Sequence, residues 1–127
     1  MAVDDDVGAR DVASFPPEPR SVAKARAVVR EALQAWPEWI VDEAILLASE
    51  LATNAVTHAG TVFELKVTVA ERVVRVDVTD WGGGSPAILD PIPDVGGHGL
   101  RMVDQIAARW GTRKEDDQTV VWFEVER

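Results

Sequence analysis

Two stretches of this chain join residue types that suit a ligand with both an amine and a phosphate. In Asp80-Trp81-Gly82-Gly83-Gly84 a carboxylate stands at the end of an alternating apolar run and is followed at once by glycines. Such a carboxylate can accept a hydrogen bond from an exocyclic amine, and glycines let backbone approach a ligand closely. In Gly96-Gly97-His98-Gly99-Leu100 the glycines run directly into a helical pattern. There unpaired N–H groups and the positive end of the helix dipole suit a phosphate. A third stretch is polar without an obvious chemical role. In it Glu50, Asn54 and His58 recur at i+4 and form one stripe on a helix, opposite Leu47 and Leu51. Each stretch also has a plain structural reading, as a turn, a helix start and a solvated helix face. Their order and placement together carry more than any one of them.

Taken together, Glu50-Leu51-Ala52-Thr53-Asn54-Ala55-Val56-Thr57-His58-Ala59 resembles the N box of the GHKL ATPases, and Asp80-Trp81-Gly82-Gly83-Gly84 resembles their D-x-G-x-G box. Gly97-His98-Gly99-Leu100 looks like their second glycine box. Arg109-Trp110-Gly111 and Val121-Trp122-Phe123-Glu124 resemble the closing strands of the shorter version found in anti-sigma-factor serine/threonine kinases. The resemblance extends over about residues 15 to 126. It implies a Bergerat-type fold binding ATP with Mg²⁺, in which Asn54 holds the metal, Asp80 recognises the adenine amine and Glu50 is the general base. Gly82 and Gly84 would then line the adenine side, and Gly97, Gly99 and Leu100 the phosphate side. His98 and Arg101 are further candidate phosphate contacts, each with an equally simple reading as a solvated loop histidine and a surface arginine. His58 stays outside the catalytic set, because a histidine at a helix end is more often a cap or packing residue.

The elements that must position these residues follow from periodicity. Residues 1 to 14 read as a flexible tail, and Phe15-Pro16-Pro17-Glu18-Pro19 as an extended lead-in, since proline fixes φ and removes a donor. A first amphipathic helix carries Val22, Ala25, Val28 or Val29, Ala32, Leu33 and Trp36, closed by Pro37. A second, from about Glu38 to His58, turns Ile40, Ala44, Leu47, Ala48, Leu51 and Ala55 inward and stops at Gly60. Alternation in Phe63, Leu65, Val67, Val69 and in Val74, Val76, Val78 predicts two antiparallel strands. Six glycines and three prolines between Trp81 and Gly99 mark one long loop, a candidate lid. A third helix begins at Leu100 and takes in Val103, Ile106, Ala107 and Trp110. A terminal hairpin turns at Lys114-Glu115-Asp116-Asp117. Trp36, Trp110 and Trp122 fall at periodic apolar positions expected in the core, whereas Trp81 sits within the adenine box and could either cover the base or fill the pocket.

Grouped helices with paired strands favour an α+β, two-layer sandwich: a mixed, mainly antiparallel sheet covered on one face by about three helices. At 127 residues one domain is expected, here 15–127. A formal charge of −9 argues against nucleic acid as the main partner, and the run Asp4-Asp5-Asp6 reads as a solvated tail. The absence of cysteine excludes disulfides, thiolate nucleophiles and sulfur-ligated zinc. No apolar run approaches bilayer length and the N-terminus is acidic, so no membrane association and a cytoplasmic location are expected.

Two functions compete. The first is a serine/threonine protein kinase acting as an anti-sigma factor, with a sigma factor and an anti-sigma-factor antagonist as partners. The other is a non-catalytic ATP-binding module in which nucleotide sets partner choice without phosphoryl transfer. A sensor histidine kinase or gyrase-like ATPase is disfavoured, since no phospho-acceptor helix pair or transducer segment is present. The family resemblance also suggests a homodimer, although no seam can be read from the pattern.

Overall fold

The computed structural model describes residues 9–82 and 99–127. Five strands form one sheet: β1 (Ala9–Phe15), β2 (Phe63–Val69), β3 (Val73–Asp80), β4 (Arg109–Glu115) and β5 (Gln118–Glu126), in the order β1-β2-β3-β5-β4. All four pairings are antiparallel, where the sequence pattern allowed a mixed sheet. Side chains alternate across a strand, so one face collects Phe63, Leu65 and Val67, then Val74, Val76 and Val78, then Val121, Phe123 and Val125, all buried.

Three helices cover that face. Helix α1 (Arg20–Ala32) buries Ala25 and Val29, with Leu33 buried just beyond its end, and α2 (Glu38–Asn54) buries Ile40, Ala44, Leu47, Ala48 and Leu51. Helix α3 (Gly99–Ile106) contributes Leu100 and Val103. The prolines before α1 set its entry, and the buried Ser21 hydroxyl donates to the Pro16 carbonyl at 2.8 Å. Ser21→Ala removes that tie and is expected to cost about 1 kcal/mol. In a thermal melt this appears as a Tm lower by about 4 °C.

Several sequence expectations change. Residues 9 to 14, assigned to the tail, belong to β1 and pair with β2 from Ala9↔Val69 to Phe15↔Phe63. As an edge strand β1 needs few apolar residues: Ala13 and Phe15 face the core, while Val12 is 56% exposed on the opposite face. The third helix ends at Ile106, and Trp110 lies in β4, half-buried at the edge of the core. There its Nε1 donates to Asp104 at 2.9 Å. Trp36 is also only partly buried.

Trp122 is not a core residue. It alternates with Val121 and Phe123 and therefore lies on the other face of the sheet, which no described element covers. Arg75 stacks over its ring at 4.1 Å and reaches Asp77 at 3.2 Å and Glu124 at 3.5 Å. Gly111, the register partner of Trp122, sits flat beneath it: a Cβ there would meet the indole at 2.9 Å. Arg109 pairs with Glu124 at 2.7 Å and Glu126 at 2.6 Å. The hydrogen bond from Arg109 holds the Glu126 carboxyl below its ordinary range, and the same bond raises the guanidinium.

Candidate functional site

Asp80 ends β3 in the series that begins with Val74, Val76 and Val78, so its half-buried carboxylate faces the helical layer where the sheet stops. Its Oδ1 accepts the Gly82 N–H at 3.0 Å. The bond closes a tight turn that orients the group and leaves Oδ2 for an outside donor. The Trp81 N–H donates to the Thr61 hydroxyl at 3.1 Å, which in turn donates to the Val62 carbonyl at 2.9 Å. The chain after β3 is thereby tied to the chain entering β2.

Along α2, Glu50 and Asn54 hold half-buried positions one turn apart. The helix does not continue regularly to His58. From Ala55 to Ala59 it widens into a π-helical turn, closed by the Gly60 N–H on the Ala55 carbonyl at 3.1 Å, with Gly60 left-handed at φ 68°. Turns of this kind insert a residue and re-aim the side chains beyond them. The i+4 stripe therefore breaks after Asn54, and His58 is exposed rather than packed.

The π-helical turn meets the strand end directly. A Cβ on Gly82 would lie 2.7 Å from the Ala59 Cα and 2.9 Å from its carbonyl oxygen, so the backbones touch and only glycine fits. This contact locks the Asp80 turn to the end of the element that carries Glu50 and Asn54. Trp81 is 39% exposed.

Beyond these, Leu100 buries its side chain in the core, which leaves only its backbone amide for a phosphate, and Arg101 is exposed on the first turn of α3. Gly99 opens that helix. Gly84, Gly97 and His98, and most of the expected lid, lie outside the described residues. One candidate escaped sequence reasoning: Thr119 is the register partner of Asp80 on β5, buried and on the same face. The alternation Thr119, Val121, Phe123, Val125 contained that signal, but it needed the β3–β5 register to become legible.

The donor set suits a magnesium nucleotide. Among the described residues no group of three His, Asp or Glu converges as a protein-built metal cage. Mg²⁺ commonly needs only one or two protein oxygens when phosphates supply the rest, and the Asn54 amide can provide one. Asp80 offers a carboxylate oxygen toward an amine.

Residues 15–125 match the family model described as histidine kinase-like ATPase domain. A search of curated proteins finds no match. Among solved structures, the chain is similar to the RsbU and RsbW domains of Rv1364c from Mycobacterium tuberculosis, with a TM-score of 0.73 and 17% identity over 93% of this chain and 32% of that one. It is also similar to the histidine kinase domain of the blue-light-activated histidine kinase EL346 from Erythrobacter litoralis. That TM-score is 0.57, with 21% identity over 88% of this chain and 61% of the other. The chain thus spans about a third of the first structure and three-fifths of the second, and at these identities the likeness is one of fold.

Proposed function

The chain belongs to the histidine kinase-like ATPase domain family, and from that premise we propose that the fold, which takes in β1 from Ala9, forms one Mg-ATP-binding unit that phosphorylates a serine or threonine of a partner protein. The reading that fits best is an anti-sigma factor that holds a sigma factor and phosphorylates its antagonist. The observation that carries the nucleotide site is the seating of Gly82 on Ala59, which joins the amine-recognising Asp80 to the helix bearing Glu50 and Asn54.

In this reading Asp80 Oδ2 accepts the adenine amine, and Asn54 supplies one oxygen to Mg²⁺. Bound Mg²⁺ would offset charge on the phosphates. Glu50 accepts the proton of the target hydroxyl as its oxygen bonds to the γ-phosphorus and the bond to the β-phosphate oxygen breaks. The first-turn amides of α3, which have no carbonyl partner within the helix, favour negative charge nearby. No described helix is long and apolar enough to cross a membrane.

Calorimetric titration of the protein with ATP, with and without Mg²⁺, tests the site. Asp80→Asn replaces a charged acceptor by a neutral amide and is expected to weaken Mg-ATP binding by about 10–100-fold, the equivalent of about 1.5–3 kcal/mol. Unchanged affinity in this variant would remove Asp80 from the site, and absence of binding by the parent protein would leave the fold as a protein-binding scaffold.

A further inference from the structure

β2 and β3 pair as far as Phe63↔Asp80, and the chain entering β2 keeps company with the chain leaving β3 beyond that last pair. A continued ladder would set Val62 against Trp81 and Thr61 against Gly82. Instead the Trp81 N–H donates to the Thr61 hydroxyl at 3.1 Å, and Gly82 lies against Ala59, with Gly60 left-handed at φ 68° between the two contacts. A side-chain oxygen therefore takes the place of a ladder carbonyl. The Thr61 hydroxyl gives its one proton to the Val62 carbonyl at 2.9 Å, so toward Trp81 it acts only as an acceptor. Asp80 itself is held by strands on both sides, through its register with Phe63 and with Thr119. Beyond it the turn closed by Asp80 Oδ1 on the Gly82 N–H at 3.0 Å is restrained from outside by Thr61 and by the Ala59 contact.

Resting on the nucleotide reading of this end of the sheet, we propose that Thr61 is a positioning residue that sets base selectivity: it holds the Asp80 turn so that one carboxylate oxygen, Oδ2, meets the edge of the base. Where that edge carries an amine, as in adenine, the amine donates to Oδ2. Where it carries a carbonyl oxygen, as in guanine, it faces a carboxylate that cannot turn away. Selectivity then comes as much from the repulsion as from the bond, and both need the carboxylate held still. Without the Thr61 acceptor the Trp81 amide loses its partner, the turn loosens, and Asp80 gives up part of the amine bond together with part of the rejection.

Thr61→Val keeps the shape and removes the acceptor, whereas Thr61→Ser keeps the acceptor. Thr61 is half-buried and stands outside the core cluster, so both variants should fold. In the protein without nucleotide, exchange of the Trp81 and Gly82 amides is expected to quicken by about fivefold or more in Thr61→Val and to stay at the parent rate in Thr61→Ser. Calorimetric titration with Mg-ATP and with Mg-GTP then reads the selectivity. Thr61→Val should weaken Mg-ATP by about 5–10-fold and leave Mg-GTP unchanged or tighter, so that the preference for ATP falls about tenfold, and Thr61→Ser should restore it. An equal loss for both nucleotides would mark the bond as a structural tie alone and overturn the proposal. So would a parent-like preference in Thr61→Val, or amide exchange indifferent to the substitution. A parent protein that binds neither nucleotide defeats the reading of the site itself, and the role of Thr61 with it, before any variant is compared.

Discussion

Glu50→Gln is expected to slow phosphoryl transfer to a partner hydroxyl by about 10²–10⁴-fold, the usual range for loss of a general base. Affinity for Mg-ATP should stay within about twofold, because the substitution preserves size and the role removed concerns the transition state. Glu50 is half-buried on α2, with Leu47 and Leu51 carrying the packing, so the melting temperature should hardly move. Single-turnover transfer from labelled ATP to the proposed antagonist protein is the measurement. Transfer that survives at the parent rate would reject Glu50 as the base. A parent protein that binds Mg-ATP but transfers nothing would favour the non-catalytic module, in which nucleotide biases conformation alone.

Gly82→Val should be the most damaging single change at the turn after β3, beside the proposed nucleotide site. The added carbons would meet the Ala59 Cα at 2.7 Å, and that atom is backbone within the π-helical turn, so it cannot swing aside as a side-chain tip would. Overpacking of this kind costs about 1–3 kcal/mol. Relief requires the strand end and the helical turn to separate, which moves Asp80 away from Asn54. Mg-ATP affinity is expected to fall at least about tenfold, with a lower Tm in the same sample. A variant with parent-like affinity would show that the contact does not set the geometry of the pocket.

The parts of this fold readable in advance were those whose apolar residues face a single core. The alternation in Phe63 to Val69 and Val74 to Val78 and the 3.6-residue repeat in α1 and α2 each match one buried face, and the elements lie where those patterns run. β1 was illegible because an edge strand with one uncovered face shows few apolar residues: Asp11, Val12 and Ser14 look like a tail until β2 pairs with them. Trp122 was misplaced because it stands within an apolar run and was read as one of its core positions, whereas its register position puts it on the open face under Arg75. The family boxes pointed to Glu50, Asn54 and Asp80, and the structure brings their elements together through Gly82 and Ala59. The i+4 rule carried the stripe as far as His58, but the π-helical turn that ends it leaves no trace in periodicity. Thr119 needed a pairing between segments distant in sequence.

The strand order has a consequence for how the chain reaches this state. β2–β3 and β4–β5 are hairpins that close over short turns, and β3 with β5 then forms the centre of the sheet. β1 can join only after α1 and α2, which separate it from β2, have packed down and brought Phe15 to Phe63, whose rings end 5.4 Å apart. Closing so long a loop exacts its entropy before those rings return any contact. Annealing of β1 is therefore a late event in folding and its detachment an early one in unfolding, so amide exchange should reach this edge well before the β3–β5 ladder.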